Sequence, residues 1–264
     1  MKIITFGTRK GGAGKTALTF NIAGVLAEEH KVLLMDFDPQ VNLTGNVGLD
    51  TTVQDAPCIL DIFKNYNFAA PERVITHSPI EQLPNLDIIA GHLDMEDVEM
   101  QLVSKPAREF VIQRWIKANR KFLEQYDYIL CDTNPSTGLI NQNAFVAADS
   151  IVLVSDISEE SRMGAMQFVY KWDKIRDAYG IENNVRAMVL NNVDRRISQA
   201  DQLQEYYMDD EDFGPLLLKA TIPYRADMKR TSPNCMPINI LAPKSDACAA
   251  VRAVAAELKE KGVL

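Results

Sequence analysis

The sequence predicts an α/β protein with a doubly wound, mostly parallel sheet and helices on both of its faces. Short apolar runs recur along the chain, and helical patterns lie between most of them. Several of these runs lack the polar alternation of a sheet with one face in water. With 264 residues, 47% of them hydrophobic, the chain can bury a large core. We expect a single domain over residues 1–264.

Seven apolar runs are predicted to be strands, and the helical patterns separate them in the order of the chain. The first helix covers residues 16–30, where Leu18, Ile22, Val25 and Leu26 have helical spacing. Two later helical patterns cover residues 107–124 and 159–179. The predicted strands cover residues 2–7, 31–36, 86–91, 126–132, 150–156, 185–192 and 216–223.

The strand ends place candidate functional residues at one edge of the sheet. Ligands of parallel sheets bind at the carboxyl ends of the strands. We therefore expect Gly7, Asp36, Asp132 and Asn191 along a common rim.

Composition excludes several classes of protein. The four cysteines have no CxxC spacing and the three histidines do not cluster with them, so we expect reduced structural thiols rather than a metal site. No run is long enough to span a bilayer and none resembles a signal peptide, which predicts a cytoplasmic protein. A net charge of −8 does not by itself favour nucleic acid, although a local basic patch is compatible with it.

The strongest motif is KGGAGKT, residues 10–16, directly after the first predicted strand and before the first predicted helix. Small residues let backbone N–H groups wrap a phosphate, and the positive end of the helix points at the same anion. Lys15 can reach the β- and γ-phosphates, and the Thr16 hydroxyl can bind Mg²⁺. The alternative is a glycine-rich turn without a ligand. The predicted nucleotide-binding residues are Lys10, Gly11, Gly12, Ala13, Gly14, Lys15, Thr16 and Ala17.

Lys10 is not needed by an ordinary phosphate loop. With it, the segment resembles the KGGxGK[ST] signature of the deviant Walker A ATPases, the ParA/MinD family. The resemblance spans nearly the whole chain, with four motifs in order: KGGAGKT, the segments after the second and fourth predicted strands, and residues 220–238. It implies an ATP hydrolase of the P-loop fold that uses ATP and Mg²⁺ and forms ATP-sandwich dimers. In such a dimer Lys10 would reach the nucleotide of the other subunit; a solvated lysine is the alternative.

Two further motifs supply carboxylates. DFDPQVNLT, residues 36–44, is similar to the family's DxDPQ segment, and by this resemblance Asp38 would orient or deprotonate the attacking water. Asp36 would lie near the hydration shell of Mg²⁺, although either aspartate can instead cap a turn. Asp132 ends an apolar strand as a Walker B aspartate does and would hold a Mg²⁺-bound water together with Thr16. The predicted catalytic residues are thus Lys10, Lys15 and Asp38, and the predicted metal residues are Thr16, Asp36 and Asp132.

Two residues depart from the family pattern. Val41 stands where relatives carry glycine, which takes a positive φ at little cost, whereas valine does not. Asn134 replaces a proline in the loop after Asp132. The resemblance also implies that adenine lies between Asn191-Asn192 and Pro223-Tyr224, since asparagine amides can pair with its edge. These asparagines are equally compatible with simple turns.

The resemblance is strongest to the small ParA-type partition ATPases. The first strand begins at Lys2, so we expect no N-terminal helix-turn-helix domain. The closing helix, residues 243–260, mixes acids with its lysines and is expected to dock on the sheet rather than bind a membrane. The family implies a homodimer in the ATP state, non-specific duplex DNA and a ParB-like centromere-binding protein as partners, and association with the nucleoid.

Basic residues in the second half of the chain are the predicted DNA contacts, with pairing to surface acids as the alternative. They are Arg195, Arg196, Arg225, Lys229 and Arg230. Other functions remain open at this point: a positioning ATPase for a protein cargo, a MinD-like membrane-associated ATPase, a metal-handling scaffold ATPase, or a binding module without turnover.

Overall fold

The computed structural model describes residues 1–50, 56–64, 69–194, 200–211 and 213–264. Within these residues, seven strands form one sheet in the order β3-β4-β2-β5-β1-β6-β7, and every neighbouring pair is parallel except β3 with β4. The predicted mostly parallel α/β fold is therefore confirmed. The strands are β1 Lys2–Gly7, β2 Val32–Asp36, β3 Thr76–His77, β4 Leu86–Ile89, β5 Tyr128–Asp132, β6 Ser150–Ser155 and β7 Val185–Leu190.

The helices of the described residues cover both faces of this sheet. A 3₁₀ turn at Arg108–Phe110 precedes the sixth of them. The α-helices are α1 Lys15–Leu26, α2 Asn42–Asn46, α3 Leu60–Lys64, α4 Pro71–Val74, α5 Met95–Leu102, α6 Val111–Ala118, α7 Arg120–Leu123, α8 Leu139–Ala147, α9 Glu159–Tyr179, α10 Ala200–Met208, α11 Ala226–Thr231, α12 Ile238–Leu241 and α13 Asp246–Glu260.

Alternate residues of each strand enter different cores, because successive side chains of a strand point to opposite faces. Ile4 and Phe6 of β1 pack in one core with α1, α11, α12 and α13. Ile3, the neighbour of Ile4 in the strand, packs on the opposite face in a core with α3, α5, α6 and α8. The same face carries α9, whose Phe168 and Trp172 cover β6 and β7. Burial on both faces explains why the strand sequences show little polar alternation.

The last predicted strand, residues 216–223, is the main error in the predicted elements. This segment runs beside β7 without forming a continuous ladder: Leu217 bridges Met188, the Ile222 N–H donates to the Leu190 carbonyl, and Pro223 bridges Val193 beyond the end of β7. Between them, the backbone N–H groups of Lys219 and Ala220 donate to the carboxylate of Glu257 on α13, at 2.9 and 2.8 Å. The Glu257 side chain thus takes the place of the hydrogen bonds that a neighbouring strand would make. The local apolar pattern could not indicate this contact with a distant helix.

The predicted helix over residues 107–124 is also divided. It begins as the 3₁₀ turn and is interrupted at Asn119, which has φ −105° and separates α6 from α7. The Asn119 side chain donates to the carbonyl of Trp115 at 2.9 Å, so it competes with the regular helix pattern. The antiparallel strand β3 was not predicted, since two residues carry no periodic signal.

The closing helix docks as predicted. Val251, Val254 and Leu258 of α13 are fully buried, and the helix packs on α1. Beyond it, Lys2 Nζ donates to the carbonyl oxygens of Gly262 and Leu264, at 2.8 and 3.0 Å. Within the described part of the chain, no helix combines the length and apolarity needed to cross a bilayer.

All four cysteines are unpaired thiols. Cys131 on β5 is fully buried in the core opposite α1, and burial raises the pKa of its thiol to about 12. A thiol held this firmly in its neutral form packs as an apolar side chain.

Candidate nucleotide site

The segment between β1 and α1 forms an open, strongly curved loop. Gly12 and Gly14 have φ values of 82° and 77°, in the left-handed region that favours glycine. A Cβ added to Gly11 or Gly12 would meet no atom within 4 Å, so the backbone of both residues faces open space. The loop therefore offers its N–H groups to a ligand approaching from the cleft.

Gly14 faces the opposite way, into the protein. A Cβ on Gly14 would collide with Nδ2 of Asn191 and lie 3.1 Å from Nδ2 of Asn192. The Asn191 amide, which is 2% exposed, donates to the carbonyl of Ala13 at 2.7 Å. Asn191 thus supports the loop from behind, and only glycine fits at position 14.

Lys15, the first residue of α1, forms a buried ion pair with the aspartate at the tip of β5. Its Nζ lies 2.7 Å from Oδ1 of Asp132, and the two side chains are 6% and 0% exposed. Oδ2 of Asp132 is buried with no hydrogen-bond partner among the described residues. The sheet places this carboxylate beside the phosphate loop because β5 pairs directly with β1.

The loop opens into a cleft of about 330 Å³. The predicted residues Thr16 and Asp38 line it, as does every residue from Lys10 to Ala17. Sequence reasoning missed the other residues of the lining. These are Thr8, Asn42, Asn46, Pro135 and Ser232.

Two aspartates after β2 have different surroundings. Asp38 lines the cleft and accepts one hydrogen bond, from the Gln40 N–H at 2.9 Å; burial raises its pKa despite that bond and the nearby charge of Lys15. Asp36 is fully buried and accepts hydrogen bonds from the Thr44 N–H, the Thr44 hydroxyl and the Asp38 N–H, at 2.8–3.1 Å. Burial, followed by the charge of Asp132, raises the pKa of Asp36. Asp36 therefore fastens the loop that carries Asp38.

Val41 adopts a left-handed backbone conformation, which favours glycine. Its φ is 50° and ψ is 30°, so a β-branched residue lies in the left-handed region. Its side chain is 6% exposed, and its carbonyl accepts a hydrogen bond from the Gly45 N–H of α2 at 3.0 Å. Side-chain burial offsets the backbone strain at this position.

Lys10 contacts the rim of the sheet in its own subunit. Its Nζ lies 3.0 Å from Oδ2 of Asp156 and 2.7 Å from the Ser158 hydroxyl, and its side chain is 31% exposed. Burial would raise the pKa of Asp156, but hydrogen bonds from Ser158, Ser161 and Lys10 hold it below its usual value. Asp156 was missed as a site residue, although its position at the carboxyl end of the predicted strand 150–156 was the available signal.

A buried amide, that of Asn141, makes several of the hydrogen bonds that hold the loop after Asp132. Nδ2 of Asn141 on α8 lies 2.6–2.9 Å from Oδ1 and the carbonyl of Asn134 and from the carbonyl of Ser136. Glu99 on α5 accepts from the N–H groups of Leu139 and Ile140 at the start of α8. Asn134, the departure from the family pattern, is thus one of the groups that Asn141 holds.

The residues predicted for adenine are not gathered in this cleft. The part of the lining that the described residues form does not include any of the four, which are Asn191, Asn192, Pro223 and Tyr224. Pro223 pairs with Val193 beside β7, and the Tyr224 ring is 39% exposed. The adenine contact stays a prediction, while the amide of Asn191 already has a structural partner.

The predicted DNA contacts lie at and around α11. Arg225 precedes the helix and pairs with Asp246 at 2.7 Å, while Arg230 pairs with Asp227 at 3.3 Å. Lys229 contacts the hydroxyl of Tyr224 and lies 4.4 Å from the centre of its ring. Pairing with surface acids, the alternative to DNA contact, is therefore present at both arginines. Arg195 and Arg196 lie outside the described residues.

The residues that line the cleft fit a nucleoside triphosphate with Mg²⁺. Gly11 and Gly12 leave open space at the loop, Lys15 supplies a cation, and the unpartnered Oδ2 of Asp132 and the Thr16 hydroxyl offer oxygen ligands. Thr16 and Asp132 would hold the metal, which when bound neutralises phosphate charge.

A family model described as an AAA domain matches residues 1–186. The chain is 28% identical over 249 residues to the sporulation initiation inhibitor protein Soj of Bacillus subtilis, covering 92% of each chain. It superposes on a Cyanothece McdA–ATP complex with a TM-score of 0.83, at 18% identity over 98% of this chain and 96% of that one. The Mg-ADP complex of the septum site-determining protein MinD from Pyrococcus horikoshii gives 0.72, at 23% identity over 99% and 97%. At these identities the two structures establish the fold.

Proposed function

The chain belongs to the AAA-domain family and, within it, to the ParA/MinD ATPases, and we propose that it drives DNA partition as an ATP-dependent dimer. It is an ATP hydrolase of the partition and positioning type that uses ATP and Mg²⁺. In this proposal residues 1–264 act as one ATPase domain in the cytoplasm, associated with the nucleoid.

The observation that carries the proposal is that each lysine of the phosphate loop already contacts a different aspartate of the sheet rim. Lys15 contacts Asp132, and Lys10 contacts Asp156. Lys15 therefore suits the nucleotide of its own subunit, since Lys15 and the phosphate loop that would hold this nucleotide line the same cleft. Lys10 also lines the cleft, but its side chain is 31% exposed, so a phosphate of a second subunit can compete with Asp156 for it.

Hydrolysis is assigned to residues that line the cleft. Asp38 orients or deprotonates the attacking water. Among the described residues its carboxylate has no direct cation partner, and one of its oxygens stays available for the water because the Gln40 N–H binds the other. The γ-phosphate makes contacts across the dimer that ADP cannot make, so hydrolysis resets the dimer.

DNA binding follows from dimerisation in this proposal. Two copies of the basic segment from Arg225 to Arg230 double the number of phosphate contacts when the dimer forms, which strengthens binding in the ATP state. A ParB-like protein bound to the centromere stimulates hydrolysis. The buried apolar stripe of α13 speaks against the membrane-associated alternative, since its apolar side chains are already covered.

The test is a titration of non-specific duplex DNA with ATP, with ADP and without nucleotide, for the wild type and for Asp38→Ala. We expect the tightest binding with ATP. Asp38→Ala should bind ATP, lose about 10²-fold or more of the hydrolysis rate, and hold DNA longer. Arg225→Glu with Lys229→Glu should remove the gain caused by ATP. Equal affinity in all three nucleotide conditions would refute the proposal and favour a partner that is protein only.

A further inference from the structure

One segment of this acidic protein is strongly basic. Residues 105–125 carry six basic and two acidic side chains, whereas the whole chain has a net charge of −8. The segment forms the 3₁₀ turn, α6 and α7, on the face of the sheet opposite α11. Its basic residues are Lys105, Arg108, Arg114, Lys117, Arg120 and Lys121.

The two helices are fixed to the core by one apolar stripe. Val111, Ile112 and Trp115 are fully buried, and Leu123 continues the stripe into α7. The Trp115 Nε1–H donates to the carbonyl of Ala69 at 2.7 Å, which sets the rotation of α6 about its axis. The orientation of the opposite side of these helices is therefore fixed as well.

That opposite side carries Arg114, Lys117 and Lys121, which we name the α6–α7 basic face. All three are exposed. Arg114 and Lys117 lie three residues apart on α6 and are neighbours on its surface, and Lys121 continues this exposed side into α7, after the interruption at Asn119. Among the described residues, none of the three makes an ion pair or a side-chain hydrogen bond. The other arginines of the segment differ: Arg120 pairs with Glu124 at 2.8 Å and Arg108 with Glu109 at 3.0 Å.

We propose that the α6–α7 basic face binds the phosphate backbone of duplex DNA. A row of cations that have no acid partner among the described residues, held on two helices packed on the core, matches the regular negative charge of a duplex. An acidic protein segment is the less favoured occupant, because the face lacks the aromatic anchors and apolar centre of a protein interface. The face extends DNA binding to a second side of the sheet, and the partition function is not required for it.

Nucleotide state should affect DNA binding by the α6–α7 basic face less than DNA binding by the basic residues at α11. Asp246 and Asp227 compete with phosphates for Arg225 and Arg230, whereas the α6–α7 basic face has no competing carboxylate among the described residues. Its contribution should therefore be present with ATP, with ADP and without nucleotide.

The test compares two triple variants that remove the same charge. Arg114→Gln/Lys117→Gln/Lys121→Gln removes the face, and Lys171→Gln/Lys174→Gln/Lys219→Gln removes three exposed cations elsewhere. Each is titrated with non-specific duplex DNA by fluorescence anisotropy at several salt concentrations in all three nucleotide conditions. Thermal unfolding and the ATPase rate are measured alongside.

For the first variant, the slope of log affinity against log salt should fall by about 0.9 for each phosphate that the face no longer binds. If all three cations bind phosphates in the wild type, the affinity change between 50 and 200 mM salt becomes about 40-fold smaller in this variant. The control variant should keep the wild-type slope. Equal reductions in both variants would mean a net-charge effect and overturn the proposal, as would an unchanged slope in the first. Wild-type protein that never binds DNA would overturn it and favour an acidic protein partner.

The proposed function can fail separately from this inference. One possible result is that ATP causes no gain in DNA affinity, while DNA binding that depends on salt but not on nucleotide remains. That result would contradict the ATP-dependent dimer and support the α6–α7 basic face. The reverse result would contradict the face alone.

Discussion

The nucleotide cleft and the α6–α7 basic face present cations in opposite ways. At the cleft, Lys15 and Lys10 each contact an aspartate of the sheet rim, at 2.7 and 3.0 Å. On the basic face, Lys117 and its neighbours have no such partner among the described residues. A cation with an internal acid can change partners when a phosphate arrives, so it suits a switch. A cation without one is available at all times and suits constitutive attraction.

The largest expected effect is that of Lys15→Ala. Removing Lys15 leaves the buried carboxylate of Asp132 without its cation, so the free energy of unfolding should fall by about 3 kcal/mol and nucleotide binding should be abolished. Lys117→Ala, on the basic face, should change the free energy of unfolding by no more than about 0.5 kcal/mol. Urea unfolding and nucleotide titration measure both. Equal destabilisation by the two variants would remove the distinction.

A second expected difference lies at Lys10. If Lys10 leaves Asp156 for the nucleotide of another subunit, Lys10→Ala should bind ATP as a monomer. Asp156→Ala should dimerise with ATP at about fivefold lower protein concentration, because the competing internal contact is gone. Sedimentation velocity with ATP and ADP measures both. A normal ATP-dependent dimer in Lys10→Ala would assign Lys10 to its own subunit only.

A smaller effect is expected where α11 is made to resemble the basic face. Asp246→Asn releases Arg225 from its partner, so duplex DNA should bind about two- to fivefold more tightly. Asp173→Asn removes the same charge beside Arg176 on α9 and serves as the control. If both variants tighten binding equally, net charge rather than the release of Arg225 explains the result.

The smallest net effect is expected at Val41, which lies in the loop that borders the cleft. Val41→Gly relieves a left-handed conformation but loses a buried side chain, so the free energy of unfolding should change by less than about 1 kcal/mol. Val47, also buried but with φ −90°, has no such strain to relieve, and Val47→Gly should cost about 2–3 kcal/mol. Similar destabilisation in both variants would contradict the strain at Val41.

Much of the fold was predictable because its signals are local. Buried parallel strands are continuous apolar runs, and KGGAGKT between a strand and a helix needs only neighbouring residues to define a phosphate loop. The carboxyl-end rule predicted that Asp132 lies at the same rim as Gly7, and in the structure the Asp132 carboxylate contacts Lys15 of the phosphate loop. The segment 216–223 has the same apolar signal but is not a strand, since Glu257 binds its backbone from another element.

The sequence by itself determined which groups stand at the rim of the sheet, because strand ends and glycine positions are encoded within a few residues. Only the tertiary structure decided which partner each group has. Lys10 meets Asp156 across 146 positions of the chain, and Asn191 meets Ala13 across 178. Likewise, the arginines at positions 114 and 225 look alike in sequence, but among the described residues one is free of internal acids and the other pairs with Asp246. Ion pairs and hydrogen bonds depend on distances of a few ångströms between residues far apart in sequence, and folding alone sets those distances.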